Sequence, residues 1–250
     1  MTYSLMRMTT HGSAWPSWSS WHMSEFAAVV AALGIAGLLV AWPKITPHQK
    51  YLFALALLAS VLLLSSDVQS LSMASYPSHM IEHIVVVLAI APLVAGATRI
   101  RLSRTASTFG FFAFTVLVPL FHLTPLGSWV MRYPEGHIVE LATFFIVGVW
   151  FWIPVYGSSR QLSDQQRITY VVLALPVIAT TGLVLWSATK SSLTSVGMNM
   201  SNITIAAVQR GGLVMMVLGT AIMLGHVLVL SVRAAALHRA LRVPAGLKYA

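Results

Sequence analysis

His79-Met80-Ile81-Glu82-His83-Ile84-Val85-Val86-Val87-Leu88-Ala89-Ile90-Ala91-Pro92-Leu93-Val94-Ala95-Gly96-Ala97-Thr98 is the stretch that decides the fold. After His83 it carries no ionisable group. As a helix, about 20 such residues cross the ~30 Å hydrocarbon core of a bilayer. Working outward, similar stretches run over Glu25–Trp42, ended by Pro43, and over Tyr51–Leu71, Ala106–Leu123, His137–Tyr156, Ile168–Ala188 and Ala206–Val232. The segments between them are short and polar or rich in Pro and Gly. The sequence therefore predicts an all-α polytopic membrane protein, a seven-transmembrane-helix bundle over residues 24–232. An N-terminal segment, 1–23, and a basic tail, 233–250, flank it.

Composition agrees. The 250 residues are 57% hydrophobic and 8% charged, with a mean hydropathy of +0.80. Soluble domains carry about 25% charged residues, and disordered chains have low hydrophobicity. The net charge of +9 comes without a basic run, so nucleic acid is not the expected partner. Cysteine is absent, which excludes disulfides, thiolate nucleophiles, zinc ribbons and iron–sulfur clusters. Trp15, Trp18 and Trp21 suit an N-terminal segment lying at the headgroup level rather than a cleavable signal. Pro92, Pro119 and Pro176 lie inside spans. Neighbouring helices must satisfy the carbonyls those prolines free.

Charge sets the expected orientation. Sorting Lys and Arg by loop puts Lys44, Lys50, Arg99, Arg101, Arg104, Arg160, Arg167, Arg233, Arg239, Arg242 and Lys248 on one side. Arg7, Arg132, Lys190 and Arg210 fall on the other. The positive-inside rule makes the first side cytoplasmic, with the N-terminus outside and the C-terminus inside. Anionic lipid is the partner that such a basic side expects.

With that topology, the chemistry-bearing residues converge at the outer level. His79 and His83 open the third span, one helical turn apart on one face. His122 closes the fourth span, and His137 and Glu140 open the fifth, with Asp67 near the outer end of the second. Ionisable groups are expensive inside a membrane and mark function there. Imidazole suits copper and zinc, and thioether suits Cu(I). Met80, the Met198-Asn199-Met200 loop and Met23 beside His22 are nearby thioethers by this topology. His226 reads as an interhelical hydrogen-bonder, and His48 and His238 as interfacial. His79–His83 also fits H-x-x-E-H, the inverted zinc-protease pattern with Glu82 as base, but no outer domain is available to hold a peptide. Bis-His haem ligation is a further reading. No Lys lies well inside a span, which excludes a retinal Schiff base.

The same residues resemble the CtaG-type cytochrome c oxidase assembly factors. That family opens its third helix with H-M-x-x-H before a proline-containing apolar run, as in Ser78–His83 and Ala91-Pro92-Leu93. Phe121-His122-Leu123-Thr124-Pro125 is similar to its fourth-helix end. Gly136-His137-Ile138-Val139-Glu140 is similar to its fifth-helix block, and Gln209-Arg210-Gly211-Gly212-Leu213-Val214-Met215 to the opening of its seventh helix. Leu141 stands where the family often has a second histidine. The resemblance implies seven helices, no enzymatic activity and a role in assembling haem–copper oxidase at the cytoplasmic membrane, supplying copper to an oxidase subunit. The ligand set it implies is His79, His83, His122 and His137 with Glu140 and Met80. The alternatives are a permanent subunit of a respiratory complex and a membrane protein holding haem, haem a included.

Overall fold

The computed structural model describes residues 45–130, 134–157, 162–195 and 204–242. Among them every regular element is helical: α1 Pro47–Leu63, α2 Ser66–Ala74, α3 Tyr76–Ala97, α4 Arg104–Leu123, α5 Pro125–Val130, α6 Pro134–Tyr156, α7 Asp164–Trp186 and α8 Lys190–Ser195. The last helix, α9, runs as Ile205–Val214, Met215–Gly219 and Thr220–Arg242. Helices α3, α4, α6, α7 and α9 are each long and apolar enough to cross a membrane, and α1 with α2 forms a sixth candidate bent by 61°. The chain is an all-α polytopic membrane protein. The expected span at Glu25–Trp42, the segment 1–23, His22, Met23, Met198, Met200 and residues 243–250 of the basic tail lie outside the described residues.

Local sequence accounts for the helix starts. Thr46 and Gln49 form a capping box on α1, with Pro47 in the first turn. Ser163 and Gln166 do the same on α7, and Ser103 accepts from the Ala106 N–H at the start of α4. Each satisfies amides that have no partner within the helix. The expected continuous span Tyr51–Leu71 breaks at Ser65. Ser65 Oγ donates to the Leu62 carbonyl at 2.7 Å, and Gln69 Nε2 takes the Leu63 carbonyl at 2.9 Å. Those side chains occupy the carbonyls that a continuing helix would use, and α2 turns in toward α3.

The middle of α3 is a π-turn over Val86–Ile90. Pro92 has no N–H for the Leu88 carbonyl four residues back. His226 Nε2 on α9 donates to that carbonyl at 2.9 Å. The Ala91 N–H reaches back to Val86, which leaves the Val87 carbonyl for Trp152 Nε1 of α6 at 2.7 Å. One proline thus explains a polar tie from α3 to α9, and the π-turn around it a second tie to α6. Trp152, Phe151, Phe114 and Phe144 fill the centre of the bundle. Leu55, Phe109, Phe112, Val116, Leu173 and Leu228 are apolar and exposed, as surfaces facing lipid must be. Helices α7 and α9 cross at Gly182 and Gly212. A Cβ on Gly212 would meet the Trp186 amide nitrogen at 2.4 Å and the Gly182 carbonyl oxygen at 2.7 Å. Only glycine permits this backbone approach.

Candidate metal centre

The imidazoles meet at one end of the bundle, between α3, α4 and α6. His79, Glu82 and His83 share one face of α3 by their i, i+3 and i+4 spacing, and His137 and Glu140 share a face of α6 in the same way. All five side chains, with His122, are buried. The His79 and His83 ring centroids are 4.2 Å apart, His79 and His137 5.0 Å, and His83 and His122 5.4 Å. Rings this close leave no slot between them for a porphyrin plane.

Glu140 Oε2 is the focus. His79 Nε2 lies 3.3 Å from it, His83 Nε2 3.4 Å and His137 Nδ1 3.8 Å. Yet Glu140 Oε2, His83 Nε2 and His137 Nδ1 are all buried without an aligned hydrogen bond. Donor atoms that converge at these separations but do not bond one another could hold a metal ion. Bonds of about 2.0–2.2 Å to one tetrahedral ion put neighbouring donors roughly 3.3 Å apart. Two trios satisfy the mutual spacing, His79/His83/Glu140 and His79/Glu82/His137, each with its donor atoms within 4.8 Å of one another.

Hydrogen bonds around this focus fix the tautomers of the neutral rings. A carbonyl can only accept, so His122 Nδ1, 2.7 Å from the Val118 carbonyl, carries a proton. His122 Nε2 then bears a lone pair and accepts from His83 Nδ1 at 3.4 Å. His83 Nε2 is left with its lone pair toward Glu140. A second chain runs from α2. Gln69 Nε2 donates to the Leu63 carbonyl and to Glu82 Oε1, so Gln69 Oε1 accepts from His137 Nε2 at 3.2 Å. Glu82 Oε2 accepts from Ser72 Oγ and faces the same His137 nitrogen at 3.2 Å. His137 Nδ1 is left with its lone pair, again toward Glu140. Carboxylate and carbonyl partners behind metal-binding histidines orient them in this way.

Sequence reasoning missed three of these groups. Gln69 and Ser72 carry no motif, and only their i, i+3 spacing on α2 hints at a shared face. Glu82 entered only through the protease pattern, yet its oxygens are already taken by Gln69, Ser72 and His137. Asp67, expected near the site, is exposed. Met80 is buried on the neighbouring face of α3, where it lines an apolar void of about 30 Å³ with His83, His122, Phe144 and Met215. His226 is bonded at both nitrogens, to the Leu88 carbonyl and to the Tyr156 hydroxyl. His48 and His238 are exposed.

A family model of the cytochrome c oxidase caa3 assembly factor (Caa3_CtaG) matches residues 26–236. The chain belongs to this family. The match covers α1 to α9 almost whole and extends upstream through the expected Glu25–Trp42 span. No curated protein and no solved structure matches the chain significantly. Family membership gives the chain a role in cytochrome c oxidase assembly and implies an oxidase partner at a membrane.

Proposed function

We propose that this assembly factor binds a copper ion at the buried His/Glu cluster and hands it to an oxidase subunit at the outer face of the cytoplasmic membrane. One observation carries the reading: three imidazoles surround one buried carboxylate oxygen, and two of their facing nitrogens have no other partner. A cation supplies what those atoms lack. Nitrogen and oxygen donors without thiolate suit copper or zinc, and the oxidase is what selects copper. In this reading His79, His83, His137 and Glu140 are the ligands, His122 and Glu82 orient them, and Met80 stands beside them as a soft donor for the ion in transit. The chain acts as a carrier rather than a catalyst, and copper is its cargo. The side assignment rests on the positive-inside distribution of Lys and Arg.

Elemental analysis of the full chain, purified in detergent from copper-replete cells, tests this. We expect about one copper per wild-type chain and a large loss in His79→Ala and His83→Ala. Cells carrying either variant should contain copper-deficient oxidase that added copper restores. Equal metal content in wild type and both variants would overturn the reading. A chain that stays bound to the finished oxidase without carrying copper would make it a permanent subunit instead.

A further inference from the structure

A second large feature lies at the opposite end of the bundle. A cavity of about 760 Å³ opens between α1, α3, α6 and α9. Its volume is within the ~300–1,000 Å³ range of small-molecule sites. Leu52, Leu88, Ala89, Pro92, Leu93 and Val229 form an apolar wall. Arg99, Arg233 and His48 stand at its rim and are exposed. No acidic residue lines it, and neither arginine has a carboxylate within ion-pair reach among the described residues. Tyr156 and His226 contribute a polar patch on the wall, and Thr46 and Gln49 line its α1 side. His226 donates from Nε2 to the Leu88 carbonyl, so Nδ1 accepts from the Tyr156 hydroxyl at 2.7 Å. The Tyr156 oxygen keeps its own lone pairs for a donor on an occupant.

We infer that this cavity is a binding site for an anionic glycerophospholipid, with the phosphate held by Arg99 and Arg233 and the upper acyl chain against Leu52, Leu93 and Val229. Three features select this occupant. Two guanidiniums without a carboxylate partner among the described residues call for an anion, and arginine matches phosphate through paired N–H donors. The apolar wall calls for a hydrocarbon body, which a free phosphate lacks. The rim belongs to the basic side of the bundle, and the leaflet facing that side is the one rich in anionic lipid. A headgroup bearing hydroxyls, such as glycerol, has in the Tyr156 oxygen an acceptor within the wall. Haem fits less well, because both nitrogens of His226 are already bonded. The site is independent of the copper reading, and it shares no residue with the metal centre.

Native mass spectrometry of the delipidated full chain, titrated with phosphatidylglycerol or phosphatidylcholine, tests the inference. Wild type should retain phosphatidylglycerol at least fivefold better than phosphatidylcholine. Arg99→Gln with Arg233→Gln should abolish that preference. Ala89→Trp, which fills the wall and keeps both charges, should weaken retention independently. Arg101→Gln with Arg239→Gln removes two charges from the same end outside the cavity and should change nothing. Phosphatidylglycerol should raise the unfolding temperature of wild type and not of the Arg99/Arg233 variant, and inorganic phosphate should raise neither. Equal loss in the Arg101/Arg239 control would mean unspecific attraction, and overturn the site. Stabilisation by phosphate alone would make the occupant a soluble anion, and haem absorbance in the purified chain would make it a cofactor. Either overturns the lipid.

Discussion

At the scale of single residues, the proposed reading gives the one histidine at the edge of the cluster, His122, a different role from the three at its centre. The family resemblance implies His122 as a ligand, and its position at the end of α4 brings it to the right level. In the proposed reading its hydrogen bonds give it a supporting task. With Nδ1 on the Val118 carbonyl and Nε2 accepting from His83, it has no lone pair left for a metal. Removing such an outer partner typically weakens metal affinity 10–100-fold, whereas removing a ligand breaks the site. We therefore expect His122→Ala to bind one copper about 10–100-fold more weakly, and His122→Gln, which keeps an acceptor for His83, to recover part of the loss. Glu82→Gln should behave like His122→Ala, through His137. Competition titration against a chelator of known copper affinity measures all three. A His122→Ala variant as defective as His83→Ala would return His122 to the ligand set. The sequence made this centre legible through the level at which its imidazoles sit. It could not distinguish ligand from support, because that depends on which nitrogen of each ring is already occupied.

At the scale of elements, the helices were legible in the sequence and their defects largely were not. Apolar length was enough to read α3, α4, α6 and α7 within a few residues of where they stand, and the start of α9, which runs on past the expected end at Val232 to Arg242. It was not enough for Tyr51–Leu71. There the run turns polar at Ser65-Ser66-Asp67, Ser65 and Gln69 cap carbonyls from their side chains, and the helix breaks. That break positions the candidate site, since α2 delivers Gln69 and Ser72 to Glu82. The π-turn of α3 follows the same logic. A proline in a span frees a carbonyl, and the partner that takes it sits 138 positions away on α9. His226→Leu should therefore leave the Leu88 carbonyl and the Tyr156 hydroxyl unpaired together. Interhelical hydrogen bonds in membranes are worth about 0.6 kcal/mol on average and up to about 1.7 kcal/mol, so a loss of roughly 1–2 kcal/mol is expected. In Pro92→Ala the restored N–H can serve Leu88 from within α3, and His226→Leu should then cost less. A double-mutant cycle in detergent unfolding reads the coupling. Additive effects would mean that Pro92 is not the reason His226 is there.

At the scale of the whole molecule, the two ends carry opposite chemistry. The metal end gathers imidazoles and carboxylates. Its described basic residues are Lys190 and Arg210, neither within the cluster. The other end carries Arg99, Arg101, Arg104, Arg233 and Arg239 with the large cavity. A cation carrier benefits from this separation, because a nearby arginine would repel the incoming ion, while arginines at the far end fix the chain in the bilayer. The copper reading needs the metal end to face outward. The absence of cysteine from all 250 residues makes the test free of background labelling. Ser191→Cys, exposed after α7 at the metal end, should react in intact cells with a membrane-impermeant maleimide. Thr105→Cys, exposed at the start of α4 on the arginine end, should react only after the membrane is opened. The opposite pattern would put the cluster on the cytoplasmic side. Copper would then have to reach a subunit from within the cell, and the handover proposed here would fail even if the ion were bound as described.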